Sequence, residues 1–412
     1  MIPVPEKRIS AYEARAFGMF VHYGAYSRYA RGEWVLEFLK LDPAEYEQRA
    51  LGFDFSSFSA AELVRCAKSA GMRYIVLTAR HHDGFSLYDT RGLSEYDVMH
   101  TPNGRDLVAE FVEECRTADI LPLLYHTTLD WHHPDFKADF PAYLEYLRSS
   151  VELLCSRYGK IGGLWFDGNW SKPDADWKLD ELYGTIRRLQ PDAVIVNNTG
   201  LEVRGVAIHP EIDCVTFEQD RPEPMDRDGM SKYLAGEMSL TMNHHWGHAC
   251  DIDYKSVREL LETICACRKV GANMLLNVGP LPDGRIPTIQ RGILEELGAW
   301  TARYRVPFYE GRPCEVKGRG KDFALRTADG RTFVFIHDIG PWMGDRREVW
   351  NPESGRVFEN VFRPVRSVKW VDDGSSAEFR HDRDAGVLSV DSGQFACGEN
   401  WVVRVAELEF EQ

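Results

Sequence analysis

GGLWFDG (162–168) sets a short apolar run behind a pair of glycines and ends it on a carboxylate, Asp167. Seven further runs have the same form: FGMFVHYG (17–24), RYIVLTARHH (73–82), ILPLLYH (120–126), AVIVNN (193–198), DCVTFE (213–218), SLTMNHH (239–245) and ANMLLNVG (272–279). Their last polar residues are His22, His81 with His82, Tyr125 with His126, Asn198, Glu218, Asn243 with His244, and Asn277. A strand covered on both faces has no solvent side, so it reads as a continuous apolar run and not as an alternation. Eight such runs in the first 280 residues predict a parallel sheet wrapped by helices.

Helical spacing fills most of the gaps, over 57–70, 105–118, 140–158, 176–189, 254–270 and 288–304. Asp139 before Pro141 reads as a helix start, and Gly71 and Gly271 read as helix stops. The stretches 199–213 and 219–238 are rich in Pro, Gly and charge, so two crossovers are expected to be loops. The expected fold is an irregular (β/α)8 TIM-like barrel over residues 1–306, with its chemistry at the C-terminal ends of the strands. An open doubly wound sheet is the alternative, but no glycine-rich dinucleotide loop follows the first strand.

With 412 residues the chain is longer than one barrel needs, and the excess lies at the C-terminus. Alternation in FALRT and WVVRV, with turns at Asp329-Gly330 and Asp373-Gly374, predicts an antiparallel β-sandwich over 307–412. A formal net charge of -15, with acidic residues scattered, argues against a nucleic-acid or anionic-membrane partner. No 18-residue apolar stretch or secretion-type N-terminus is present, so a cytoplasmic protein is expected. Nine cysteines, several in apolar helical segments, are expected to be reduced. NVGPLPDGRIP ends in a turn and lacks phosphate-loop spacing, and no cofactor is expected.

Asp167, beside Trp165 and Phe166, places a carboxylate at a barrel rim among flat apolar rings. A carboxylate there can attack an anomeric carbon while aromatic faces hold a sugar, or it can simply cap a helix. Glu218 could face it as the second carboxylate of a glycosidase. Glu237, Glu33 and Asp83 compete for that role, Glu237 most strongly. Nine of thirteen histidines fall at or after strand ends: His22, His81, His82, His126, His132, His133, His244, His245 and His248. They can bind sugar hydroxyls or a metal, and the first strand lacks the His-x-His of barrel metallohydrolases. A sugar pocket without metal is expected. A metal-dependent barrel hydrolase and a non-catalytic carbohydrate-binding protein are the rival readings.

Together, FGMFVHYGAYS followed by Glu33 and Trp34, ARHHDGFSLYDT, LDWHHP, GGLWFDG, MNHHWGH and GANMLLNVGPLPDGRIP resemble the family 29 glycoside hydrolases, the retaining α-L-fucosidases. The resemblance implies a retaining exo-glycosidase acting on fucosylated oligosaccharides or glycoconjugates. It makes Asp167 the nucleophile that forms a covalent fucosyl-enzyme. His22, His81 and His82 become the hydroxyl-binding histidines, and Glu33, Trp34, Tyr125, Trp165 and Trp246 line the sugar subsite. Glu218 becomes the acid/base.

Two departures stand out. Thr199 occupies a place where many relatives have arginine, and Gly236 replaces the tryptophan usual before Glu237. Both thin the pocket wall, which suggests that a neighbouring copy completes it in a homo-oligomer. Linkage preference should reside in the loops 28–45, 199–236 and 343–352.

Overall fold

The computed structural model describes residues 1–340 and 355–411, so the loop 343–352 lies outside the described residues. Eight parallel strands close into a barrel in chain order. They are β1 (Phe17–Val21), β2 (Tyr74–Arg80), β3 (Leu121–Thr127), β4 (Gly163–Asp167), β5 (Val194–Asn198), β6 (Cys214–Glu218), β7 (Ala235–Thr241) and β8 (Asn273–Val278). Seven of them start inside their apolar runs, and β3 ends one residue past its own. The exception is β7, which starts at Ala235 where the sequence suggested Ser239. Asn243 and His244 therefore stand beyond the strand, and Glu237 stands within it.

All six expected helices follow their strands, as Ala60–Ser69, Leu107–Thr117, Phe140–Arg157, Leu179–Leu189, Val257–Val270 and Thr288–Arg303. The punctuation works as its chemistry dictates. Asp139 caps Phe140–Arg157 by accepting from Ala142 N at 3.2 Å, and Gly271 closes Val257–Val270 at φ 78°. The crossovers from β5 to β6 and from β6 to β7 carry no helix.

Successive side chains on a strand point to opposite faces, so every second residue looks into the barrel. Phe20, Tyr74, Val76, Leu123, Tyr125, Trp165, Val194, Val196, Cys214, Ala235 and Leu275 form one buried cluster there. The same parity carries the last inward positions, His22, Tyr125, Asp167, Asn198 and Glu218, up to the mouth. A short N-terminal helix, Lys7–Glu13, not anticipated from sequence, adds Ile9 and Tyr12 to the cluster. Two such buried apolar side chains contribute roughly 1.5–3 kcal/mol each. No helix among the described residues is long and apolar enough to cross a membrane.

By contacts the chain divides into Met1–Lys255 with Asn273–Glu295, and Ser256–Ala272 with Glu296–Gln412. That division is not the single cut at 306/307 expected from sequence. Arg268, in the helix after β7, donates to the carbonyls of Phe308 at 3.1 Å and Gly311 at 2.8 Å, which joins that helix to the later chain. Among its described residues the second unit holds two antiparallel sheets, of four and six strands, that share a core including Val334, Phe358, Val368, Leu388 and Leu408. The turn at Asp329-Gly330 joins Phe323–Arg326 to Thr332–Ile336, with Gly330 at φ 91°. The WVVRV strand begins at Arg404, because Val402 takes a left-handed φ of 64°.

Candidate active site

All ten expected site residues line one cavity of about 1580 Å³ at the C-terminal ends of the strands: His22, Glu33, Trp34, His81, His82, Tyr125, Trp165, Asp167, Glu218 and Trp246. Asp167, the last residue of β4, is held on both oxygens. Tyr125 Oη donates to Oδ2 at 3.0 Å, Trp170 Nε1 donates to Oδ1 at 2.8 Å, and His82 Nε2 stands 3.4 Å from Oδ2. Burial pushes its pKa up, but those three donors together outweigh burial and leave it below the usual carboxylate value. Gly168 makes this possible at φ 108°, turning the chain so that the indole three residues on folds back over Asp167. A Cβ there would lie 2.6 Å from Leu129 N.

Glu218, the last residue of β6, has the opposite environment. Burial first, and then the charge of Asp167, raise its pKa to about 7. One side chain joins the two acids: Asn198 Nδ2 donates to Glu218 Oε2 at 2.7 Å and to Asp167 Oδ1 at 3.2 Å. Its orientation is fixed from behind, since Asn198 Oδ1 accepts from Thr216 Oγ1 at 2.9 Å and Gly200 N at 3.3 Å. A backbone N–H cannot accept, so the oxygen must face Gly200 and the NH2 must face the carboxylates. The site thus pairs a carboxylate held ionised with a carboxyl that keeps its proton up to about pH 7.

The histidines divide. His22 Nδ1 lies 2.7 Å from Asn277 Oδ1, while Asn277 Nδ2 donates to the Trp246 carbonyl at 2.7 Å. That assignment puts the proton on Nδ1, so Nε2 of the neutral ring is an acceptor. Burial lowers the His22 pKa to about 3 and holds His81 well below the usual histidine value. His82 Nδ1 bonds Thr127 Oγ1 at 2.7 Å. His126 points away from the cavity, held by Ser150 Oγ at 2.6 Å and the Thr127 carbonyl at 2.8 Å. His132, His133 and His248 do not line the cavity either, whereas His209 does. Among the described residues, no three His, Cys, Asp or Glu side chains are disposed to hold a metal ion.

The rivals of Glu218 are placed elsewhere or otherwise bound. Glu237, the third residue of β7, is fully buried and absent from the cavity wall. It accepts from Tyr12 and Tyr74 hydroxyls and from Trp165 Nε1 at 2.8 Å, deep in the barrel. It lies near the N-terminal end of β7, away from the mouth where an acid/base would act. Asp83 accepts from Tyr46 Oη at 2.8 Å behind the wall, and burial raises its pKa to about 6. Glu33 does reach the cavity, where Trp246 N at 3.1 Å and Gly247 N at 2.8 Å donate to its Oε2.

Sequence reasoning left two participants unassigned, Asn198 and Trp170. Asn198 was visible as a strand-end polar residue, whereas nothing in the spacing marks Trp170, three residues past Asp167. Near Thr199 a guanidinium from the same chain does approach the acid: Arg204 Nε donates to the Glu218 carbonyl at 3.1 Å.

A model of the α-L-fucosidase family matches residues 5–305. The chain belongs to the α-L-fucosidase family. Tissue α-L-fucosidase of Rattus norvegicus is 28% identical over 434 residues, covering 96% of this chain and 89% of that protein. A Caenorhabditis elegans relative is 27% identical over 319 residues, 70% of this chain and 64% of its own length. Among solved structures, α-L-fucosidase isoenzyme 1 from Paenibacillus thiaminolyticus has a TM-score of 0.83 at 29% identity, covering 98% of this chain and 99% of that one. A Bacteroides thetaiotaomicron α-L-fucosidase trapped as a covalent intermediate has the same fold, with a TM-score of 0.82 at 19% identity over 100% of this chain and 98% of that one. As a family member the chain is a glycoside hydrolase.

Proposed function

We propose that this α-L-fucosidase family member removes terminal α-L-fucosyl residues from fucosylated oligosaccharides or glycoconjugates by double displacement, with Asp167 as nucleophile and Glu218 as acid/base. The bridged, unequal carboxylate pair carries this reading. Asn198 Nδ2 contacts both acids, so the nearest oxygens are no farther apart than the sum of its two bonds, 2.7 and 3.2 Å. That sum falls short of the ~6.5 Å at which inverting separations begin, and is compatible with the ~5–5.5 Å of retaining enzymes.

Asp167, kept ionised, attacks C1 while Glu218, kept protonated, gives its proton to the departing oxygen. Covalent capture removes the charge of Asp167. The second-largest cause that raises the Glu218 pKa then vanishes, so Glu218 can act as base toward water in the second step. His22 and His81, neutral at pH 7, serve the sugar hydroxyls, together with His82 and Glu33. Trp165 and Trp246 offer flat apolar surface to the C–H face and methyl group of fucose.

The test is ¹H NMR of 4-nitrophenyl α-L-fucoside hydrolysis, with Asp167→Ala as control. Retention requires α-fucose as the first-formed anomer, and no turnover by the variant. First-formed β-fucose would contradict the double displacement.

A further inference from the structure

The cavity exceeds the ~300–1,000 Å³ that holds a drug-sized ligand, so it has room for more than one sugar. In the proposed hydrolysis the group bonded to the glycosidic oxygen must lie on the Glu218 side, because Glu218 protonates that oxygen. The loop that begins at Thr199 forms this side. It is tied to β6 by Arg204 Nε on the Glu218 carbonyl and by Gly205 N on the Thr216 carbonyl at 2.9 Å. Gly200 is set close enough to Trp170 that a Cβ would lie 3.3 Å from the indole.

What this side presents is apolar. Leu201, Val203 and Ile208 line it at 55%, 47% and 45% exposure. Trp170 continues the surface, stacked with Trp34 at 6.1 Å and 18°, and Trp34 stacks with Phe38, which is 72% exposed. Single exposed apolar residues need no explanation, but a set gathered on one cavity wall does. Most charged side chains around it are paired, Lys178 with Asp176 at 2.6 Å, His209 with Asp180 at 3.0 Å and Arg204 with Asp220 at 3.0 Å, while Glu202 of the same loop is an exposed carboxylate on the cavity wall. Aromatic faces alone could hold a second sugar. Leucine, valine and isoleucine give nothing to its hydroxyls, and most of the neighbouring charges are already engaged, Glu202 being the exposed exception.

We infer that the leaving-group side of the cavity is a subsite that prefers an apolar aglycone, an alkyl or aryl alcohol, over a further sugar. This inference rests on the proposed hydrolysis. It selects, among fucosylated compounds, those whose fucose is attached to an apolar group.

The experiment compares kcat/KM for methyl, butyl and octyl α-L-fucosides, whose alcohols differ little in acidity. Each methylene fully buried in the cleft raises kcat/KM up to about fourfold. With partial burial the octyl:methyl ratio should reach about 100-fold, carried by KM. Leu201→Asp and Phe38→Asp should each cut that ratio about tenfold. A ratio within threefold while methyl fucoside is still hydrolysed would overturn the inference and leave the hydrolysis standing. A fucosylated lactose with a lower KM than the octyl compound would overturn it equally. If no fucoside were turned over at all, the functional reading would fail first and take this subsite with it.

Discussion

Replacing Asn198 by Ala removes the one donor shared by both carboxylates, and the structure fixes the sign of each consequence. The bond to Glu218 Oε2, at 2.7 Å, favours the ionised acid, so its loss pushes the Glu218 pKa above its value of about 7. The bond to Asp167 Oδ1, at 3.2 Å, favours the ionised nucleophile, so its loss pushes the Asp167 pKa up as well. In the native enzyme kcat/KM should fall at high pH as Glu218 loses its proton, and at low pH as Asp167 gains one. Both limbs of the bell should therefore move to higher pH in the variant. The acid limb should move less, because Trp170, Tyr125 and His82 still hold Asp167. The rate effect is asymmetric too. Negative charge grows on Glu218 and fades on Asp167 as the first step proceeds, so the amide helps the acid and restrains the nucleophile. A hydrogen bond to a charged group is worth ~1.5–3 kcal/mol, which sets the loss at roughly 10- to 100-fold for an alkyl fucoside that needs protonation. A 4-nitrophenyl fucoside barely needs the acid and should lose much less. The assay is kcat/KM against pH for both substrates. Limbs that stay in place, or move in opposite directions, would refute the bridging role of Asn198.

Glu218→Ala should retain the first step on 4-nitrophenyl fucoside and lose it on alkyl fucosides, with azide restoring turnover as a fucosyl azide. A variant indistinguishable from the native enzyme would sink the assignment. Glu237→Gln leaves its three donors facing a half-matched amide, at a cost of about 1–3 kcal/mol. Thermal unfolding should detect that loss while the pH–rate profile keeps its shape, and a displaced alkaline limb would return Glu237 to the chemistry. Gly236, near the start of β7, lies outside the cavity wall, but the thin wall at Thr199 motivates the proposal that a second copy completes the pocket. Light scattering at assay concentration checks it, and a fully active monomer rules it out.

The barrel was legible because burial on both faces leaves an unbroken apolar run, and parity along such a run is a local property of the chain. That is why His22, Tyr125, Asp167, Asn198 and Glu218 could all be read as mouth residues from the last polar position of their strands. His126 misled because it is adjacent to Tyr125 and so carries the opposite parity, which turns it outward to Ser150. Glu237 misled in another way. It precedes the apolar run 239–245, and because β7 starts at Ala235 it is taken into the N-terminal end of the strand, far from the mouth. The carboxylate still points into the barrel, but at the level of Tyr12 and Tyr74, where only a long-range partner could reveal that it is structural. Tyr12 comes from a seven-residue helix too short to show a period. Nor could sequence spacing anticipate Trp170. Its bond to Asp167 depends on the left-handed turn at Gly168, and its place in the wall depends on stacking with Trp34, more than a hundred residues away in the chain. Strand parity is local and so could be read directly, whereas depth and loop closure are set by residues distant in sequence. In this enzyme, discrimination between leaving groups is assigned to those loops.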